Sequence, residues 1–395
     1  MSETSAGQYE NKMLNTVRAY LKRMIDAGGS DLHIKANAQI RARINGEITP
    51  LSGNIFPKED ALNFAKELLR GRFQEFVEAK ELDLVYPYDD KTRFRVNIFF
   101  QMEGVSAVMR IIPVEILNLE QLQLPSIISD LCEEERGLIL VTGITGSGKS
   151  TTLAAMIDRI NRTKKKHILT IEDPIEFVHK DRMSILNQRN IGQDTLSFGT
   201  ALRAALREDP DIILVGEMRD LETIEIALHA ADTGHMVFST LHTIDTKETI
   251  NRIISMFPTG EQNRIRITLA SVLRAVLSQR LVRTVDGKRR AAIEVLINTP
   301  RISQLILDNK DYEIMETIEK SKEIYKTQSY DQALIDLFND GVITQDEALR
   351  SATSATDMKL KMAGMSTKKE KGGVSEQDAA PTVSMEDEDV FQLKL

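Results

Sequence analysis

The chain has 395 residues, of which 42% are hydrophobic and 28% are charged, and its formal net charge is −8. This composition is typical of a globular protein, and the length suggests two or three domains. The sequence shows neither the roughly 18-residue apolar run of a membrane span nor the basic and apolar regions of a secretory signal at its start. The acidic balance argues weakly against sequence-independent nucleic-acid binding, and the one cysteine, Cys132, excludes an intramolecular disulfide or a cysteine zinc cluster and favours a reducing cytoplasm.

The first 112 residues predict a small α+β domain with an antiparallel sheet. Apolar residues at helical spacing cover 9–27, and a Gly-Gly pair at 28–29 ends this helix. A strand over 30–35 and a second over 41–48 follow, with an Asn-Gly turn at 45–46 in the second. The same patterns predict further helices over 58–71 and 73–80 and further strands over 82–88, 94–101 and 105–112.

Pro113 and Pro125 bracket a predicted linker, residues 113–125, and the pattern changes after it. Strands then alternate with helices through a predicted second domain, residues 126–362, whose residues from 300 onward are mostly helical. Continuous apolar runs of this kind are typical of a parallel sheet buried on both faces; they cover 138–142, 167–171, 211–216 and 235–241. Residues 363–395 are polar and end in an acidic cluster, so we expect a disordered acidic tail.

A complete phosphate-binding loop, Gly-Ile-Thr-Gly-Ser-Gly-Lys-Ser, stands between a predicted strand and a predicted helix. Its glycines let backbone N–H groups turn inward at a helix N-terminus, where they bind anions. We expect Lys149 to reach the β- and γ-phosphates of ATP and the Ser150 hydroxyl to ligate Mg²⁺. The predicted nucleotide-binding residues are Gly143, Ile144, Thr145, Gly146, Ser147, Gly148, Lys149, Ser150 and Thr151.

Two further apolar strands end in carboxylates. One ends in Glu217, and in phosphate-loop enzymes the corresponding strand aims its acid at the metal, here through water. The other ends in Glu172, at the sheet edge where ligands of open α/β sheets bind, and a carboxylate there can orient the attacking water or hold metal-bound water. The sequence leaves open which of Glu172 and Glu217 activates the water; we favour Glu172 for the water and Glu217 for the metal side. A helix-capping acid and a polar turn are the structural alternatives for these two segments.

Histidines and arginines complete the predicted catalytic set. His235 and His242 flank one strand, where a hydrogen-bond donor can sense the γ-phosphate. Arg93 and Arg95 share one strand face, and Arg110 on the next strand can join it. Arginines stabilise the charge that phosphoryl transfer concentrates, although a solvated polar face is the alternative. The basic runs at 164–166 and 288–290 are interpreted as solvated loop charge.

Together these segments resemble the secretion-superfamily ATPases, and in particular their pilus-retraction branch, PilT and PilU. The resemblance covers about residues 12–362. It rests on the phosphate loop, on an acidic segment, on an apolar strand ending in glutamate and on a histidine-containing segment, which occupy residues 143–150, 170–176, 212–217 and 233–242.

The resemblance implies a PAS-like N-terminal domain, residues 1–112, a RecA-like ATPase domain and a homohexameric ring with nucleotide between the two domains of each subunit. It places Arg95 and Arg110 at arginine-finger positions, with Arg93 as a further candidate. ATP hydrolysis would turn an inner-membrane platform protein and return pilin to the membrane, as in twitching motility. The chain would then be cytoplasmic, bind no nucleic acid and associate peripherally with the inner membrane through the platform.

Several alternatives stay open at this point. Pilus-extension motors of the superfamily generally carry a tetracysteine zinc site, which one cysteine cannot provide, so retraction is favoured over extension. The catalytic core resembles PilT, whereas residues 281–296 and the polar tail resemble PilU. An accessory motor that depends on a second, paralogous retraction ATPase is therefore a second hypothesis. A DNA-processing RecA-like ATPase, a non-hydrolysing regulator and a small-molecule kinase are the others.

Overall fold

The computed structural model describes residues 11–89, 92–112 and 116–370, which build two sheets, each with its own apolar core. The N-terminal sheet is antiparallel, with strand order β3-β2-β1-β6-β5-β4. Its elements are α1 (Lys12–Asp26), β1 (Gly29–Lys35), β2 (Ala38–Ile44), β3 (Glu47–Phe56), α2 (Lys58–Leu69), a 3-10 turn (Arg70–Arg72), α3 (Phe73–Ala79), β4 (Glu81–Pro87), β5 (Arg93–Gln101) and β6 (Gly104–Ile112).

The three helices pack on one face of this sheet and leave the other face polar. Leu21, Phe64 and Phe76 are fully buried between helices and sheet, which follows from their helical spacing. The sequence predicted these elements except β3, which is an edge strand whose residues are mostly exposed. Without a buried face, β3 shows no apolar alternation for the sequence to reveal.

The second sheet has seven strands in the order β13-β12-β7-β11-β10-β8-β9, and all pairs are parallel except β12–β13. Its strands are β7 (Gly137–Thr142), β8 (His167–Glu172), β9 (Ile185–Asn190), β10 (Ile212–Val215), β11 (Met236–Leu241), β12 (Leu273–Arg283) and β13 (Arg289–Ile297). The helices up to β13 are α4 (Ile127–Leu131), α5 (Lys149–Thr163), α6 (Phe198–Ala205), α7 (Leu221–Asp232), α8 (Thr246–Ser255) and α9 (Gln262–Val272). After β13 come α10 (Pro300–Leu307), a 3-10 turn (Asp311–Glu313), α11 (Ile314–Lys320), α12 (Lys322–Tyr325), α13 (Tyr330–Asn339), α14 (Gln345–Ser351) and α15 (Ala355–Glu370).

Helices cover both faces of this sheet, and every residue of β7 and β11 is buried. The structure confirms the predicted strands β7, β8, β10 and β11. Their continuous apolar runs made them predictable from the sequence. The sequence did not predict β9, β12 and β13. β9 is an edge strand rich in amides, and polar residues such as Ser278 and Gln279 interrupt the apolar pattern of β12.

The C-terminal helices α13, α14 and α15 pack against the β12–β13 hairpin around Val282 and Leu334. α15 continues to Glu370, so the helical region passes the predicted tail boundary at 363. The rest of the predicted acidic tail, residues 371–395, lies outside the described residues. The predicted α/β class with an N-terminal α+β unit is confirmed.

Candidate active site

A cavity of about 620 Å³ opens at the carboxyl edge of the parallel sheet, between this edge and the N-terminal sheet. Strands β7, β8, β10 and β11 run parallel, so the segments that follow them meet at the same edge. The cavity thereby gathers most of the predicted site. The predicted residues that line it are Arg95, Thr145, Gly146, Gly148, Lys149, Ser150, Thr151, Glu172, Glu217 and His242.

The phosphate loop closes around the ammonium group of Lys149. Gly148, in a left-handed conformation with φ of +91°, caps α5, so that Lys149 begins the helix. Lys149 Nζ donates to Gly143 O at 2.8 Å and to Ile144 O at 3.2 Å. Burial lowers the pKa of Lys149, although the nearby Glu176 and Glu217 carboxylates oppose this shift. A poorly solvated cation beside a helix N-terminus is the arrangement that binds phosphate.

Glu172, the last residue of β8, is held from several sides. Its Oε1 accepts from Thr170 Oγ1 at 2.7 Å and from Gln188 Nε2 at 3.2 Å, and its Oε2 accepts from Glu176 N at 3.4 Å. Burial raises the pKa of Glu172 despite these hydrogen bonds. A carboxylate that is oriented and also made more basic suits general-base chemistry.

Glu217 lies two residues beyond β10 and is 9% exposed. Its Oε2 lies 2.6 Å from Arg219 Nε and 3.5 Å from His242 Nε2. His242 follows β11 directly, so the predicted histidine and acid meet at the sheet edge. The sequence analysis gave Arg219 no role, although this arginine also lines the cavity.

Other predicted residues lie away from the cavity lining. His235 precedes β11 at the opposite end of that strand, with Nδ1 3.0 Å from Ala230 O. On β6, Arg110 pairs instead with Asp31, at 2.6 Å. Burial raises the pKa of Asp31, but hydrogen bonds from Ser30 and Arg110 outweigh this effect and hold the pKa below its ordinary value. Four more predicted residues are absent from the lining as the structure describes it: Arg93, Gly143, Ile144 and Ser147.

The cavity also has lining residues that sequence reasoning did not select. Arg289 belongs to the basic run interpreted as solvated loop charge, yet it begins β13 and reaches the cavity with Leu281 of β12. His179 lines the cavity too, and burial lowers its pKa to about 4, against the opposing effect of Asp158. Because β12 and β13 were not predicted, the sequence gave no signal that placed Leu281 and Arg289 at the site.

The donor set fits the predicted magnesium ion. Ser150 supplies a hydroxyl beside the loop, and Glu217 supplies a carboxylate in the same cavity. Mg²⁺ prefers such hard oxygen ligands, keeps several waters and takes the rest of its shell from phosphate. These residues would hold Mg²⁺ with a bound nucleoside triphosphate.

Comparisons with known proteins identify the family to which the chain is similar. Residues 8–334 match the family described as type II/IV secretion system protein. The chain is 44% identical over 331 residues to the type IV pilus retraction ATPase PilT of Pseudomonas aeruginosa, covering 82% of this chain and 94% of that protein. It is 39% identical over 342 residues to the pilus ATPase PilU of the same organism, covering 86% and 89%.

A solved structure of the pilus retraction motor PilT with bound ADP superposes with a TM-score of 0.81 at 43% identity, covering 86% of this chain and 98% of that one. These likenesses confirm the predicted fold class, with a RecA-like core and an N-terminal domain. They also confirm the prediction that the chain is an ATPase.

We expect Lys149→Ala to weaken ADP binding by at least tenfold, because it removes the cation that the loop holds for phosphate. Isothermal titration calorimetry with ADP measures the change. Lys164→Ala is the matched control, since Lys164 caps the far end of α5 and pairs with Glu133. Equal ADP affinities for Lys149→Ala and the parent protein would contradict the placement of the nucleotide.

Proposed function

The chain belongs to the type II/IV secretion system protein family, and we propose that it is an ATP-hydrolysing motor that powers type IV pilus retraction. One observation carries the hydrolytic part of the proposal: Lys149 and Ser150 of the phosphate loop converge on one cavity with Glu172 and Glu217. Its similarity to a pilus retraction ATPase along 94% of that protein's length supports the mechanical part.

In the proposed reaction, Lys149 leaves the loop carbonyls and pairs with the β- and γ-phosphates, which are stronger acceptors for an ammonium group. Glu172 accepts a proton from water while the water oxygen bonds to the γ-phosphorus. The bond from that phosphorus to the β–γ bridging oxygen breaks, and ADP and phosphate leave. Ser150 and, through water, Glu217 would hold Mg²⁺, which neutralises phosphate charge. His242 has the proposed task of sensing the γ-phosphate, which its contact with Glu217 at 3.5 Å supports.

Arg95 has the proposed task of an arginine finger. It belongs to β5 of the N-terminal sheet but lines the cavity formed by the other sheet. A guanidinium group there offsets the charge on the transferred phosphoryl group. The cavity therefore changes composition whenever the two sheets move relative to each other, which is the coupling that a motor needs between hydrolysis and movement.

A homohexameric ring is part of the proposal. A second cavity, of about 580 Å³, lies on the polar face of the N-terminal sheet. Three polar atoms of its lining residues are buried without a hydrogen-bond partner among the described residues: His33 Nε2, Gln101 Nε2 and Ser106 Oγ. Because these atoms are already covered within one chain, a neighbouring subunit could not reach them, and the ring rests on the resemblance to the secretion-superfamily ATPases.

The proposed location is the cytoplasmic side of the inner membrane. Of the helices in the described ranges, none has the length and apolar character to cross a membrane. The proposed partner at the membrane is an inner-membrane platform protein, which the resemblance supplies. The similarity to both PilT and PilU supports a paralogous retraction ATPase as a second proposed partner.

The function is tested in the host by comparing deletion of the gene with a Lys149→Ala replacement. We expect excess surface pili and loss of twitching motility in both strains, because pili form but are not withdrawn. Electron microscopy of piliation and motility zones measure this outcome. Bald cells would contradict retraction. A deletion phenotype that Lys149→Ala does not reproduce would instead assign the chain an accessory role beside a second ATPase.

The role of Glu172 predicts a pH dependence. Its carboxylate form is the active base, so kcat falls as pH decreases through its pKa; because that pKa is raised, the acid limb lies above the ordinary glutamate value of about 4.3. Glu172→Gln should lower kcat by at least about a hundredfold with ADP affinity preserved.

Steady-state hydrolysis across pH measures both effects. Glu208→Gln is the control, since Glu208 pairs with Arg189 away from the cavity. An acid limb at the ordinary glutamate pKa, or parental turnover in Glu172→Gln, would refute the assignment of Glu172 as the base.

A further inference from the structure

We propose that Gln279, a buried glutamine on β12, is the positioning residue that sets the conformation of the phosphate loop. β12 pairs in parallel with β7, with Ser278 opposite Thr142, so Gln279 lies beside the start of the loop. Its side chain is 2% exposed and faces the loop rather than solvent. This inference rests on the proposed nucleotide site.

The Gln279 side chain ties the loop to the helix that follows it. Nε2 donates to Ser147 O at 2.8 Å, and Oε1 accepts from Thr152 Oγ1 at 2.8 Å. Thr152 lies on α5 and is 1% exposed. Both polar atoms of the Gln279 amide therefore have hydrogen-bond partners inside the protein, one in the phosphate loop and one on α5.

Two glycines of the loop lie against the same residue. A Cβ at Gly143 would come within 2.3 Å of Gln279 O, and a Cβ at Gly148 within 2.7 Å of Gln279 Nε2. Both glycines also have positive φ, +141° and +91°. The loop is thus shaped to lie on Gln279, which explains two of its glycines by contact as well as by backbone conformation.

The hydrogen bond to Ser147 O fixes the direction of a phosphate-binding group. In a planar trans peptide the C=O and the following N–H point in opposite directions. Because Gln279 holds Ser147 O toward β12, the N–H of Gly148 points away from β12. Gly148 lines the cavity, so this arrangement presents its N–H to the phosphates. Without Gln279 the peptide plane is free to rotate, and Ser147 O loses a buried partner.

Because loop N–H groups bind phosphate equally in the bound substrate and the transition state, their misalignment raises KM more than it lowers kcat. We expect Gln279→Met, which keeps the side-chain length without hydrogen bonds, to raise KM for ATP and the dissociation constant for ADP about tenfold. The value of kcat should change less than threefold. Glu172→Gln would give the opposite split, which separates positioning from chemistry.

Thr152 provides the conservative rescue. Thr152→Val removes the donor to Gln279 Oε1 and should weaken ADP binding, whereas Thr152→Ser keeps the hydroxyl and should restore it. The effect of Thr152→Val should largely disappear when Gln279 is already Met, since the two residues act as a unit. The matched control is Gln328→Met, because Gln328 makes the same kind of bond to Ile293 O at 2.8 Å, away from the cavity.

Titration of the full-length chain with ADP and steady-state hydrolysis of ATP decide the question. Tenfold weaker ADP binding in Gln279→Met, with parental affinity in Gln328→Met, supports the positioning role. Parental affinity in Gln279→Met overturns it, as does a loss of kcat at constant KM. If the parent protein itself bound no ADP, the result would contradict the proposed nucleotide site rather than the positioning role of Gln279. The experiment therefore distinguishes failure of the one proposal from failure of the other.

Discussion

The parallel pairing of β7, β8, β10 and β11 is the constraint on which the site depends. Leu241 lies opposite Thr142, so His242 follows β11 beside the start of the phosphate loop. Val215 lies opposite Ile171, so Glu172 and the segment leading to Glu217 emerge side by side. Residues far apart in sequence thus meet at one sheet edge because their strands run in the same direction. Helices cover both faces of the sheet, so a ligand can approach these residues only at the edge.

The N-terminal sheet also contributes to the cavity, through Arg95 of β5. Three arginines were predicted to share one face of that sheet, but they differ in their surroundings. Arg110 is neutralised by the buried Asp31 carboxylate, and the exposed Arg93 lies outside the cavity, whereas Arg95 lines it. Arg95, the proposed arginine finger, therefore reaches the cavity from a different sheet than the one that carries the phosphate loop.

The sequence predicted what local patterns determine and missed what tertiary contacts determine. The phosphate loop, the acids Glu172 and Glu217 and the four continuous apolar strands have short-range signals, and the structure places them together. The sequence analysis missed β12 because polar residues interrupt its apolar pattern. One of them, Gln279, is buried and forms hydrogen bonds with the phosphate loop and with α5, and no periodicity of the sequence reveals such contacts. Arg289 resembled loop charge for the same reason, since only the pairing of β13 with β12 brings it to the cavity.

The measurement that tests the account most directly is the turnover number of Arg95→Ala beside that of Arg93→Ala. The two arginines share one face of β5, and only Arg95 lines the cavity. If both domains complete the hydrolytic site, Arg95→Ala lowers kcat by about a thousandfold, while Arg93→Ala hydrolyses ATP at close to the parental rate. Parental turnover in Arg95→Ala would show that the edge of the parallel sheet hydrolyses ATP without the N-terminal domain and would contradict the account.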